Sequence, residues 1–148
     1  MERTLIILKP DTVQRKLIGR IIQRFEDKGF KIVGMKMIWI TKELAYKHYE
    51  AHINKPFFNS LLEFITSLPV VVMVLEGPEV VEQVRKMVGN TDCKKAEVGT
   101  IRFDFGLSIQ NNLIHASESV QDAQREIKIF FRDDELFSYN EYKPLSTV

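Results

Sequence analysis

The chain has 148 residues, 45% of them hydrophobic and 28% charged, which is the balance of one ordinary globular domain with a proper core. A net charge of +1 excludes a polyanion-binding surface of bulk charge, so any phosphate site must come from locally placed cations. The single cysteine, Cys93, excludes an internal disulfide and suits a reducing compartment. No apolar run reaches the length of a membrane helix, and a strand pattern starting at Thr4 leaves no room for a cleaved leader, so the expected location is cytoplasmic.

Thr4 to Leu8 is a continuous apolar run that reads as a buried strand, ended by Lys9-Pro10-Asp11 because proline has no donor to continue a central strand. Lys9 therefore stands at a strand end, where open α/β sheets place ligand contacts. Ile18, Ile21, Ile22 and Phe25 recur at helical spacing before Gly29 stops them. Lys31 to Ile40 reads as a second strand, and Thr41, followed by Leu44, as the N-cap of a helix through the segment Glu43 to Ala51. After Lys55-Pro56, the residues Phe57, Leu61, Phe64 and Ile65 predict another helix, ended by Leu68-Pro69.

Val70 to Leu75 is apolar throughout and reads as a strand buried on both faces. Val80, Val81, Val84, Met87 and Val88 form an amphipathic helix stopped at Gly89-Asn90. Asn90 to Gly99 is a polar loop in which Cys93 is expected to be exposed and oxidisable. Thr100 to Ile109 alternates and reads as the last long strand, with Arg102 on it. Ser119 with Asp122 fits a capping box that opens a helix carrying Val120, Ala123, Ile127 and Phe130. A polar tail runs from Arg132 to Val148. There is no internal repeat and no linker, so a single domain over residues 1–148 is expected, with 132–148 as its tail. The alternation of strands and helices predicts an α/β (α+β) domain of the ferredoxin-like, split βαβ kind: a four-stranded antiparallel sheet with helices packed on one face.

Three features bear on chemistry. Neither G-x-x-x-x-G-K-[ST] nor G-x-G-x-x-G occurs, so a bound nucleotide would meet side-chain donors rather than a glycine cradle. Arg85 and Arg102 are candidates, since guanidinium forks match phosphate oxygens. His115 lies in a strand-to-helix connection behind Leu113-Ile114, and Glu126, on the flank of the helix stripe, could fold back to orient its ring. His48 and His52 have the i, i+4 spacing of a metal pair, but no Glu or Cys set accompanies them, and metal binding there is not expected.

The string Asn112-Leu113-Ile114-His115-Ala116-Ser117-Glu118-Ser119 resembles the active-site motif Asn-x-x-His-Gly-Ser-Asp-Ser of the nucleoside diphosphate kinases. The resemblance extends from Thr4-Leu5-Ile6-Ile7-Leu8-Lys9-Pro10-Asp11 to Phe130-Phe131. It implies a ferredoxin-like core and transfer of the γ-phosphate of a nucleoside triphosphate to a nucleoside diphosphate, by a ping-pong route through phosphohistidine at His115. It implies that Ser117 and Glu126 position the imidazole, that Lys9 reaches ribose and phosphates, and that Tyr49 approaches the terminal phosphate. Arg85, Thr91 and Arg102 would bind phosphate, Phe57 and Leu61 would form a shelf under the base, Ile109 would close over it, and Asn112 would bond the sugar. A base held by its faces predicts broad base specificity. Further implications are ATP and other nucleoside tri- and diphosphates as ligands, Mg²⁺ carried by their phosphates, and a homo-oligomer, hexamer or tetramer. The chain departs from the family pattern at Ala116 for glycine and Glu118 for aspartate, and at Phe103 and Cys93, near residues that implicate subunit contacts. A nucleic-acid module is not expected, because basic excess and an RNA-binding aromatic motif are both lacking.

Overall fold

A computed structural model describes residues 1–140. Its centre is β1 (Glu2–Leu8), whose Thr4 to Leu8 are fully buried. Burying a leucine or isoleucine is worth about 1.5–3 kcal/mol, so four of them in a row hold this strand in register. β1 is followed by α1 (Pro10–Gln14), α2 (Ile18–Asp27), β2 (Lys31–Ile38), α3 (Lys42–His48), α4 (Phe58–Ile65) and β3 (Val70–Gly77). Then come α5 (Val80–Val88), α6 (Ile101–Phe105), β4 (Ile114–Ala116) and α7 (Val120–Phe130), with short 3-10 turns between. The strands lie in the order β2-β3-β1-β4 and every pairing is antiparallel. This is the split βαβ order, with α3 and α4 inserted between β2 and β3.

Helices cover both faces of the sheet rather than one. Side chains alternate along a strand: Ile6, Leu8, Val71, Met73 and Leu75 pack with residues of α2 and α5, whereas Leu5, Ile7, Val70, Val72 and Val74 pack with residues of α3 and α4. The continuously apolar reading of Val70 to Leu75 already required cover on both sides.

Three further expectations are corrected. Thr100 to Ile109 is not a strand: Thr100 caps α6 by accepting the Phe103 N–H, and the chain then runs as a loop. Ile101 and Arg102 are both buried while Phe103 and Asp104 are exposed, so adjacent side chains share a face as on a helix. The fourth strand is instead the short β4, and His115 lies within it, opposite Ile7, rather than in the connection beyond it. Cys93 is buried, with its Sγ donating to Ser108 O, rather than exposed. The tail, as far as residue 140, lies along β2: Phe137 N donates to Val33 O and the Tyr139 hydroxyl to Ile32 O. Residues 141–148 of that tail lie outside the described residues.

Candidate active site

The site is assembled where β1 ends beside β4. Pro10 occupies the start of α1, where its missing N–H costs nothing. That turn brings three groups onto Leu113, just before β4. The Lys9 N–H and the Thr12 hydroxyl both donate to Leu113 O, at 2.8 and 2.7 Å, and the Leu113 N–H donates to Asp11 Oδ2 at 3.1 Å. Leu113 has φ of 76° and is fully buried. A bulky residue in the left-handed region carries strain of about 1–3 kcal/mol, and the three bonds hold it there. Burial raises the Asp11 carboxyl above its ordinary value, against the pull of Lys9 and of the Leu113 N–H. Asp11 and Thr12 were not picked out from sequence as site residues; their position directly behind Lys9-Pro10 was the available signal.

The Lys9 ammonium donates to Asn112 Oδ1 at 2.9 Å, and Asn112 Nδ2 donates to Thr91 O at 3.3 Å. Lys9 is buried, and burial, then the neighbouring Arg102, pushes it from 10.5 down to about 8. Arg102, carried by α6 and not by a strand, is also buried, and its guanidinium donates to Asn112 O, Gly89 O and Ile114 O. Burial, then Arg85, lowers it to about 10. Arg85 is exposed on the last turn of α5 and donates to Ala116 O, one residue beyond His115. The α5 end needs glycine: Gly89 has φ of 90°, and a Cβ there would sit 2.5 Å from the Thr100 hydroxyl.

His115 is held from α7. Ala123, Glu126 and Phe130 form the buried stripe of that helix, so Glu126 is on the stripe itself. A buried carboxylate needs partners. Glu126 Oε1 lies 3.0 Å from His115 Nε2 and accepts the Ser117 hydroxyl at 2.6 Å, while Ser117 Oγ accepts the Leu5 N–H at 3.0 Å. Burial raises the Glu126 carboxyl, but the hydrogen bond and charge of His115 and the Ser117 hydroxyl outweigh it, leaving a net value below the ordinary 4.5. Glu126 is therefore an acceptor, which favours the His115 tautomer with its hydrogen on Nε2.

His48 was missed. It lies with Ala45 on the buried side of α3, its ring edge-on to His115 at 4.6 Å between centroids. Leu44, Ala45, His48 and Tyr49 have the spacing of an inward stripe, which was the signal for it. Burial, then His115 and nearby cations, pushes His48 well below the ordinary histidine value. Tyr49 is buried too; burial and then Glu126 raise its phenol, which stays protonated and able to donate.

The residues assigned to the base are open, and the Phe57 ring lies beside His52, a neighbour of Tyr49. Phe57 is 50% and Ile109 63% exposed, and Leu61 is half-buried. The Ser60 hydroxyl and Gln110 Oε1, 2.7 Å apart, tie α4 to the loop that carries Ile109. Thr91 is exposed in the loop after α5. No helix of the described residues is long and apolar enough to cross a membrane.

A split βαβ sheet with a carboxylate-held histidine at its β4 strand and buried cations beside it defines the class, a phosphate-handling transferase. The nucleoside diphosphate kinase family model matches residues 2–136. The nucleoside diphosphate kinase of Pyrococcus abyssi is 63% identical over 141 residues, 93% of this chain and 89% of that one. Among solved structures, a halophilic nucleoside diphosphate kinase from Halobacterium salinarum in complex with CDP is 50% identical, with a TM-score of 0.92 over 95% of this chain and 93% of that one. A nucleoside diphosphate kinase family protein from Babesia bovis is 44% identical, also with a TM-score of 0.92, over 95% of both chains. The chain belongs to the nucleoside diphosphate kinase family, and its activity is that of a phosphotransferase acting on nucleotides.

Proposed function

We propose that the protein moves the γ-phosphoryl group of a nucleoside triphosphate to a nucleoside diphosphate through His115, in two half-reactions at one pocket. The observation that carries this reading is the Nε2–Glu126 contact at 3.0 Å. With Nε2 protonated toward a carboxylate, the lone pair of the ring is at Nδ1, and Nδ1 is the nucleophile. It forms a bond to the γ-phosphorus as the bond to the bridging oxygen breaks, and the nucleoside diphosphate leaves. A second diphosphate takes the phosphoryl group by the reverse step. Glu126, itself fixed by the hydroxyl of Ser117, stabilises the positive ring that forms. Lys9, Arg85 and Arg102 offset charge on the phosphoryl oxygens, with Tyr49 and Thr91 as neutral donors and Asn112 on the sugar.

The substrate is read as the Mg²⁺ complex. The side chains around Asn112 are cations and amides rather than an oxygen cage, which fits an ion held by phosphates and not by the protein; such an ion supplies further neutralisation of the phosphate charge. Phe57, Leu61 and Ile109 would hold the base by its faces, giving broad base tolerance. Exposed Met35, Met37 and Trp39 at edge strand β2 and Phe103 on α6 support a homo-oligomer, tetramer or hexamer. The compartment is read as the cytoplasm, since the lone Cys93, a free thiol, suits a reducing environment. The test is incubation with [γ-³²P]ATP, alkaline denaturation, and measurement of acid-labile phosphate on the protein and its transfer to GDP. Label that never enters the protein would refute the reading.

Two variants probe the supports. Glu126→Gln is expected to lower kcat about 10²-fold with little change in nucleotide KM, since it weakens a group that acts in the transition state. It should also flatten the acid limb of stability. A depressed carboxyl stabilises the fold above its unfolded value of 4.5, and that contribution is lost as pH falls through the lower folded value. Urea midpoints of both proteins between neutral and acid pH check this. Lys9→Met is expected to abolish most turnover yet stabilise the fold at pH 7. The drop from 10.5 to about 8 is worth about 3 kcal/mol, and the lost Asn112 bond returns about 1, for a net gain of about 2 kcal/mol. The charged lysine is penalised in full below pH 8, and the penalty fades toward pH 10.5. The gap between the two proteins should therefore close as pH rises through that window.

A further inference from the structure

Glu126 stands between two imidazoles, and only one of them is bonded to it. Its Oε2 lies 3.9 Å from His48 Nδ1, beyond hydrogen-bond reach. His48 is 5% exposed, and among the described residues neither of its ring nitrogens has a hydrogen-bond partner. A buried polar ring left this way is costly, and the phosphoryl relay makes no use of it. One ligand atom from each of His48, His115 and Glu126 falls within 4.8 Å of the others.

We propose that His48, His115 and Glu126 form a site for a borderline transition-metal ion of the Zn²⁺ type, whose occupation withdraws the reactive imidazole from phosphoryl transfer. Two imidazoles and a carboxylate, with a fourth position open, are the donor set of many three-ligand zinc sites. Metal–ligand bonds of about 2.0–2.2 Å at tetrahedral angles set neighbouring ligand atoms about 3.4 Å apart. The Glu126 Oε1–His115 Nε2 and Glu126 Oε2–His48 Nδ1 spans, 3.0 and 3.9 Å, lie on either side of that value through different carboxylate oxygens. With one atom per residue all three ligands fall within 4.8 Å, so the side chains draw together when the ion binds. A cavity of about 280 Å³, lined by Tyr49, His52, Arg125 and the three ligands, provides an entry path. The site selects against Mg²⁺, which prefers oxygen ligands and octahedral geometry, so the nucleotide's own ion does not compete. His115 Nε2 and Glu126 cannot serve a metal and hold each other at once. The inhibitory consequence rests on His115 as the phosphoryl carrier; the binding itself does not.

The test is titration of metal-free protein with Zn²⁺ by calorimetry, and with Co²⁺ by visible absorption. One ion per chain is expected, with intense cobalt bands of a four- or five-coordinate site, and His48→Gln should weaken binding roughly 100-fold. Unchanged affinity in folded His48→Gln, or octahedral cobalt spectra in the native protein, overturns the site. Anomalous diffraction from native crystals soaked in Zn²⁺ provides a readout that needs no variant, and a peak away from these residues overturns the site equally. Preloading with Zn²⁺ should then prevent labelling by [γ-³²P]ATP, and a chelator should restore it. Labelling that persists with the ion in place removes the inhibitory role, whereas native protein that never labels, with or without chelator, tells against the carrier and leaves the metal site standing.

Discussion

His115→Ala is expected to take up no label from [γ-³²P]ATP and to lose activity by roughly 10⁴-fold or more, the scale seen when a covalent nucleophile is deleted. The loss should fall on kcat, since the groups assigned to base, sugar and phosphate remain. The fold should persist. The His115 side chain is 20% exposed and belongs to β4 through backbone pairing to β1, which alanine preserves. The cost comes from Glu126, which keeps the Ser117 hydroxyl but loses its imidazole. A destabilisation of about 1–3 kcal/mol is expected for a buried carboxylate stripped of one charge-assisted bond, measurable as a lower urea midpoint with an unchanged m-value. Variant protein that still becomes phosphorylated at a histidine would move the relay elsewhere, with His48 the nearest alternative.

Arg102→Ala is expected to give the largest loss of stability, about 3–5 kcal/mol, and to abolish turnover. One guanidinium joins Gly89 at the end of α5 to Asn112 and Ile114 on either side of the strained Leu113. Removing it takes a donor from the Gly89 and Ile114 carbonyls, each loss costing about 1–3 kcal/mol, while Asn112 O keeps the Ile114 N–H. It also frees the segment that aims Asn112 and His115. Arg102→Lys keeps the charge but cannot span three carbonyls with one ammonium, so it should recover only part of the stability. Arg85→Lys is the contrast: Arg85 is exposed and, among the described residues, makes a single bond, to Ala116 O, so its replacement should move stability by no more than about 1 kcal/mol while raising nucleotide KM. Arg102 equal to Arg85 in urea would show that its carbonyl contacts do not support the fold.

Burial and capping were legible from residues alone. The apolar runs of β1 and β3 leave no solvent face, and Thr41 and Ser119 accept the N–H three residues on, as N-caps do. The motif around His115 pointed to the imidazole and to Glu126 as its partner, but Glu126 was read on the flank of the α7 stripe, whereas it is buried with Ala123 and Phe130. The reading failed at Thr100 to Ile109. Over so few residues, alternation cannot distinguish a strand from one helical turn with a loop, and the Thr100 hydroxyl bonding Phe103 N settled it.

Local chemistry thus set the first three strands and the caps at Thr41 and Ser119, since each depends on neighbours a few residues apart. Long-range packing set the rest. β4 is three residues long, too short to declare itself, and exists because β1 offers it a partner. Arg102 is a strut because Gly89, Asn112 and Ile114 converge on it from separate elements. His48 meets His115 and Glu126 only because α3 packs across α7. No periodicity in the chain encodes such meetings; they are contacts between groups brought together by burial on two faces of one sheet.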